Sequence, residues 1–312
     1  MYDTITISNA RNTSYLKTDD NLIRRILQQT GHLYSEQSDG YTGKYKNILV
    51  IKKNEVIVLR GSLAKLFYGD NLRHLHFSKV KELIDELSTV FHLSFDKAHL
   101  SRIDIGYNLP VNGSPEAYLE CLTYARGYKQ ELFFRPHAKY FIQTEKRMLF
   151  YNKIKEIIKH NPIPMPKFGV TNILRYELRL FNPGRELGIK NGVLVEKLWQ
   201  AEIANKLSAM WVTEYFKITK NRLFSITQDI NSQRDFSQLI SLLGCEALGG
   251  ESALYGFVDA LPFNSSGHPQ KIRGDIFRVI NGLYSGPRFT KSPVIHSELD
   301  NLILIAAFSG MG

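Results

Sequence analysis

Three short stretches of this chain carry alternating polar residues of the kinds that handle phosphoryl groups. In Arg147-Met148-Leu149-Phe150-Tyr151-Asn152-Lys153, the two-residue period of a strand places Leu149, Tyr151 and Lys153 on one face and Met148, Phe150 and Asn152 on the other. The same alternation groups Arg102, Asp104, Gly106 and Asn108 in a second stretch, and Arg175, Glu177 and Arg179 in a third. If the three lie in one sheet and face alike, a phenol, two carboxylates and several cations converge on one surface. That is the inventory of a metal-assisted phosphoryl-transfer site with a tyrosine nucleophile. A phenol, whose ordinary pKa is about 10, needs a nearby cation or metal to be nucleophilic at neutral pH, and Lys153 is placed to supply one.

Each of these residues also has a plainer use. Tyr151 can be a half-buried strand tyrosine. Carboxylates in otherwise apolar strands need partners, and Asp104 and Glu177 can find them in Arg102, Arg175 or Arg179 as structural ion pairs, or can together hold Mg2+ or Mn2+. Arg102, Arg175, Arg179 and Lys155 also suit the phosphates of a nucleic-acid backbone, the guanidinium fork matching two oxygens at once. Parity turns Tyr107 and Tyr176 away from Asp104 and Glu177, which makes them poorer candidates for a nucleophile than Tyr151.

The elements that must position these groups follow from periodicity and punctuation. Leu22, Ile23, Ile26 and Leu27 predict a helix behind Asp19 and Asp20, stopped by Gly31. Two β-rich segments around Lys52-Lys53-Asn54-Glu55 predict a hairpin, and Leu66 to Asn71 reads as the end of another strand in a turn. A helix follows from Ser78 to about Val90, a strand over 100–108, and a helix from Ser114 to Ala125. Lys139 to Lys153 reads as a hairpin, Asn161 to Pro166 as a proline-rich loop, and Thr171 to Leu180 as a strand. Beyond Val193 the pattern is helical, including Phe236 to Leu243, with no strand expected after about 220. The fold class expected is α+β, a mainly antiparallel central sheet with helices packed on it and a smaller helical C-terminal part. Residues 1–215 are expected to form the domain that carries the chemistry, and 216–312 a helical region for DNA binding or dimerisation.

Composition sets the outer bounds. The chain has 312 residues, a formal net charge of +10 and 43% hydrophobic residues, so a large packed core and a polyanionic partner are both expected. Its two cysteines, Cys121 and Cys245, have no ligand spacing and suggest a reduced compartment. Without a long apolar run or a signal-peptide pattern, no membrane role is expected and the location expected is cytoplasmic.

The segments Leu100 to Asn108, Arg147 to Lys153 with Glu156, and Leu174 to Leu180 together resemble the rolling-circle replication initiators of plasmids and small phages, in the Rep_trans and gene II/X-like group. There an Arg-x-Asp strand, a Tyr-Asn-Lys strand and an Arg-x-Glu strand occur in this order. The resemblance covers roughly residues 45 to 210, and Gly61 to Lys65 leading to Gly69-Asp70-Asn71 resembles the upstream region. It implies that Tyr151 attacks a phosphodiester at a single-stranded or cruciform nick site in the replication origin. The enzyme is then joined to the 5′ phosphate and a 3′ hydroxyl is freed for a polymerase. A homodimer and a host helicase are the partners it suggests. His74-Leu75-His76 has the form of the metal-holding histidine pair of the broader class of tyrosine nicking enzymes; surface histidines on a loop are the alternative. Two other functions fit the same residues. One is a mobilisation relaxase or transposase using the same tyrosine chemistry, and the other is a non-catalytic, basic DNA-binding regulator.

Overall fold

The computed structural model describes residues 2–8, 20–30, 33–37, 40–54, 56–130, 137–160, 172–220, 224–226, 289–291 and 294–309, with short stretches between 232 and 275. The proline-rich loop Asn161 to Pro166, Cys245 and most of the Phe236 to Leu243 run lie outside the described residues.

The chain opens with β1 (Tyr2–Ser8) and α1 (Asp20–Gln29), which buries Ile23 and Leu27 one turn apart. A meander follows: β2 (Leu33–Gln37), β3 (Gly40–Tyr45), β4 (Ile48–Lys53) and β5 (Val56–Ser62). The β3–β4 and β4–β5 turns carry Lys46 and Asn54 at φ of 51° and 48°, the left-handed conformation that a two-residue hairpin requires. Next come α2 (Leu63–Tyr68), α3 (Val80–Phe91) and the long β6 (His99–Pro110). The segment read as a strand ending near Asn71 is thus helical at its start. The Ser62 side chain accepts the Lys65 amide as a cap, and Gly69 at φ 81° ends the turn.

Short elements succeed these: α4 (Pro115–Cys121), β7 (Leu122–Ala125) and β8 (Lys129–Gln130). The helix expected to reach Ala125 therefore gives way to a strand at Leu122. β9 (Ala138–Ile142) and β10 (Lys146–Asn152) form the expected hairpin, and α5 (Lys153–His160) starts at once. Asn152 accepts the Lys155 amide on Oδ1 at 3.1 Å, capping α5, so Lys153 belongs to the helix and strand parity stops one residue before it. β11 (Ile173–Leu180), α6 (Pro183–Glu186), β12 (Val193–Leu194), α7 (Ala201–Phe216) and β13 (Ile218–Lys220) complete this half. Then β14 (Phe224–Ile226) pairs antiparallel with β15 (Phe289–Lys291), followed by α8 (Val294–Ser309). The expectation of no strand beyond about 220 is corrected here. Three residues are too few for alternation to be read.

The fold is α+β. An eleven-stranded sheet runs in the order β2-β3-β4-β5-β1-β6-β11-β10-β9-β8, with β12 added to β6, and its pairings are antiparallel. Cα positions group into two compact units, Met1–Leu119 with Tyr124–Ile218 and Asp300–Gly312, and Glu120–Thr123 with Thr219–Leu299. The large sheet belongs to the first. Among the described residues no helix is long and apolar enough to cross a membrane.

One face of the central strands is an aromatic core. Phe150 and Tyr176 stack in parallel with ring centroids 4.4 Å apart, and Tyr176 stacks on Trp211 of α7 at 4.6 Å while donating its hydroxyl to the Trp211 carbonyl at 3.1 Å. Tyr107 closes the row against Trp211 at 4.9 Å. This packing fixes which way β6, β10 and β11 turn their other side chains. Replacing Trp211 by Ala should destabilise the protein by about 3–5 kcal/mol in urea unfolding; a loss under about 1 kcal/mol contradicts its place at the centre of this layer.

Candidate active site

The face opposite the aromatic layer is polar because the registers align its residues in rows. On β11, Arg175 stands between Asn108 of β6 and Tyr151 of β10, Glu177 between Gly106 and Leu149, and Arg179 between Asp104 and Arg147. Antiparallel neighbours directly opposite one another share a face. Tyr151, Glu177, Arg175, Arg179 and Asp104 therefore come together, while Tyr107 and Tyr176 point into the aromatic layer.

At the centre lies Arg175, buried with 2% of its side chain exposed. Its Nε donates to Glu177 Oε1 at 2.7 Å, Nη2 to Asp3 Oδ2 at 2.6 Å, and Nη1 to Asn108 Oδ1 at 2.8 Å and the Asn71 carbonyl at 3.3 Å. The Asp3 carboxylate accepts the Ser62 hydroxyl at 2.6 Å on its other oxygen. Gly106 makes room for this guanidinium, since a Cβ there would stand 2.9 Å from Nη2.

Tyr151 donates its hydroxyl to Glu177 Oε1 at 2.6 Å, and Arg179 Nη2 donates to Glu177 Oε2 at 2.9 Å. Burial and then the Glu177 charge hold the phenol well above its ordinary range, so its proton stays on. Burial alone would raise the Glu177 carboxyl, but Arg175 and Arg179 outweigh it and bring the value down to about 2. Asp104 behaves oppositely. Its carboxylate accepts Arg102 Nε at 2.8 Å and lies 3.4 Å from Arg179 Nε, yet burial dominates and pushes it up to about 6.

The remaining candidates sit around this core. Lys153 is fully buried and donates to Glu156 at 2.6 Å; its ammonium lies over the Tyr151 ring, 5.8 Å from the centroid, so it faces the ring and is paired with a carboxylate. Burial, then Arg175, lowers its pKa. Lys155 is half exposed and bridges to Glu116 at 2.9 Å. His74 packs on Tyr107 with ring centroids 4.7 Å apart, and His76 pairs through Nδ1 with the Ser78 hydroxyl at 2.8 Å. The residue between them, Leu75, makes a single bridge to Tyr2, so the pair lies outside any regular strand.

Among the described residues no group of three metal-ligating side chains occurs. The lone pairs of both candidate carboxylates already face donors. Glu177 accepts Tyr151, Arg175 and Arg179, while Asp104 accepts Arg102 on both oxygens. As arranged, the two do not fit Mg2+ or Mn2+, which needs free carboxylate oxygens and open positions for water. Sequence reasoning missed Asp3 and Ser62. The signal for Asp3 is a lone acid in the β-rich run Tyr2–Ser8, the same logic that picks out Asp104.

Fold and site together define an α+β protein whose adjacent central strands carry the Arg-x-Asp, Tyr-Asn-Lys and Arg-x-Glu motifs in the order of the rolling-circle replication initiators. The chain belongs to the Phage_CRI family, described as the N-terminal region of a replication-associated protein, whose model matches residues 10–191. Comparison with curated proteins finds no match.

Glu177 has a folded value of about 2 against an ordinary 4.5, so its ionised form stabilises the fold above about pH 4.5, and that contribution is lost as pH falls through 2. Urea unfolding of the parent and Glu177→Gln proteins should differ by on the order of 3 kcal/mol at neutral pH, the gap narrowing below pH 4.5. A gap that stays constant down to pH 3 contradicts the assignment.

Proposed function

We propose that this protein nicks and rejoins one strand of a replication origin through Tyr151, forming a 5′-phosphotyrosine link that starts rolling-circle replication of a phage or plasmid. The observation that carries this reading is the 2.6 Å hydrogen bond from the hydroxyl of part-exposed Tyr151 to buried Glu177 on the polar face. It gives the phenol a place to send its proton. As the phenol oxygen attacks phosphorus, the proton moves to Glu177 Oε1, the bond from phosphorus to the 3′ oxygen breaks, and that oxygen leaves as a hydroxyl after taking a proton from solvent.

A carboxylate held near 2 is a poor base while two guanidiniums face it. An incoming phosphodiester competes for Arg179, whose side chain is 28% exposed, and so raises the proton affinity of Glu177 when the reaction needs it. Residues 1–215 carry this chemistry in the proposal. Residues 216–312 serve DNA binding or dimerisation, and a host helicase unwinds the duplex beyond the nick while a polymerase extends the freed 3′ hydroxyl. A Mg2+ or Mn2+ requirement belongs to this reading only if Arg102 and Arg179 give up Asp104 and Glu177 to the ion, since both carboxylates are occupied as they stand. A relaxase or transposase would share the chemistry and differ in its DNA site. The saturation of Asp104 and Glu177 by arginine is what favours the non-catalytic regulator instead.

The test is incubation of parent, Tyr151→Phe and Glu177→Gln proteins with supercoiled DNA carrying the origin of the parent element, with Mg2+, Mn2+ or EDTA. The parent should relax the DNA and leave a covalent protein–DNA band, Tyr151→Phe should leave none, and Glu177→Gln should be slower by roughly 10²–10⁴-fold. A covalent band with Tyr151→Phe removes that residue as nucleophile, and relaxation by none of the three favours the regulator.

A further inference from the structure

Two rows along the polar face from Tyr151 stands a second cluster that the proposed chemistry does not use. Arg147 is exposed, directly opposite Arg179 across the β10–β11 pair, and its guanidinium lies over the Phe181 ring at 4.9 Å from the centroid. Arg102 covers the same ring at 5.4 Å. Phe181 is thus held between two guanidiniums from the strands on either side of β11.

Arg102 is tied to Asp104, and Arg179 to Glu177. Arg147 differs, because among the described residues it has no carboxylate partner. Stacking on an aromatic ring holds a guanidinium in place by its flat side and leaves the N–H groups at its edge pointing outward, the geometry that suits two oxygens of a phosphate. A freely solvated surface arginine would not be held against a ring in this way. Beside it opens a cleft of about 730 Å³ whose lining includes Arg147, Lys129 and Arg185 together with Glu145 and Glu186. Arg185 is 71% exposed and only loosely paired with Glu145 at 3.5 Å. Arg147 and Tyr151 stand four positions apart on β10, roughly 13 Å at about 3.3 Å per residue.

We propose that Arg147, oriented by Phe181 and backed by Arg185, is a phosphate-binding subsite for the backbone of single-stranded DNA flanking the bond that Tyr151 attacks. The subsite rests on the proposed nicking function for its ligand, and on the stacked, unpaired guanidinium for its location. Its purpose is to hold the strand at a second point, so that the reacting phosphate meets the Tyr151 hydroxyl in one register and not in many. Arg147 is a positioning residue in this scheme and touches no reacting atom.

The experiment measures binding of a fluorescein-labelled, mixed-sequence single-stranded oligonucleotide by anisotropy across a salt series, alongside the covalent-band assay. Arg147→Gln should weaken binding about tenfold at low salt and reduce the slope of log affinity against log salt by about 0.7, one phosphate contact on a single strand. Arg147→Lys should restore the slope but only part of the affinity, since an ammonium keeps the charge and loses the fork. With Arg147→Gln, half-saturation should shift to higher DNA concentration, and the rate of covalent-band formation at saturating DNA should fall as well, because the bound strand then samples more than one register. Unchanged affinity and slope in Arg147→Gln, with a parent that binds and reacts, overturn the subsite and leave the nicking proposal standing. Loss of slope in a protein whose parent forms no covalent band sinks the nicking proposal and supports the subsite.

Discussion

The buried guanidinium of Arg175 is the constraint on which the rest of this structure turns. A charge with so little of its side chain exposed is tolerated only if its N–H groups are all answered, and here the answers come from four places in the chain: Asp3 on β1, Asn108 on β6, Glu177 on β11 itself and the Asn71 carbonyl in the segment after α2. Pulling any one strand out of register would strand a buried charge. The arginine therefore acts as a register pin between β1, β6 and β11, and Gly106 is the space that lets it lie flat. Tyr151 inherits its position from this pin, because the oxygen that accepts its hydroxyl also accepts Arg175 Nε.

The sheet divides two chemistries between its faces. On one side, stacked rings from β6, β10, β11 and α7 supply a stiff apolar layer; on the other, the same three strands display ions. Strand parity links the two, since turning Tyr176 into the aromatic layer is what turns Arg175 and Glu177 out of it. The rigidity of the ring stack thus sets the precision of the polar side. This is how a hydroxyl and a carboxylate 26 residues apart in the chain are held at hydrogen-bond distance without either being fixed by a local turn.

That much is legible in the sequence, because period-two alternation survives wherever antiparallel strands run without interruption, as in β6, β10 and β11. Where a local device breaks the period, the pattern misleads. β1 pairs with β6 through a register shift between Tyr2 and Ile5, which hides Asp3 from a parity argument. Alternation puts Lys153 beside Tyr151 on a strand, yet the Asn152 cap converts it into the first residue of α5 and sends its ammonium to Glu156. Leu66 to Asn71 reads as the end of a strand in a turn, while the helical state of Leu63–Tyr68 is decided by two flanking residues, Ser62 and Gly69. The β14–β15 pair joins segments so distant in sequence that nothing local marks either one.

The charge balance of the polar face bears on how it could receive DNA. Arg102, Arg175, Arg179 and Lys153 are matched by Asp3, Asp104, Glu177 and Glu156, so the cluster under Tyr151 is neutral when all eight are ionised. The net charge of +10 must then lie outside it. Under the proposed function, a phosphodiester is drawn in by exposed cations such as Arg147 and Lys155 and arrives at a patch with no surplus of positive charge to meet it. Neutrality is recovered if the cluster takes up a proton. Asp104, whose burial already raises it to about 6, is the carboxylate that can do so at least cost, and its protonation would release Arg102 and Arg179 toward the phosphate. The neighbouring Glu177 stays ionised to a far lower pH and, under the proposed function, receives the phenol proton once Arg179 turns to the phosphate. Under the proposed function, two carboxylates joined by one arginine, but pushed apart in acidity by burial on one side and pairing on the other, would divide between them the two tasks that a nucleophilic tyrosine requires.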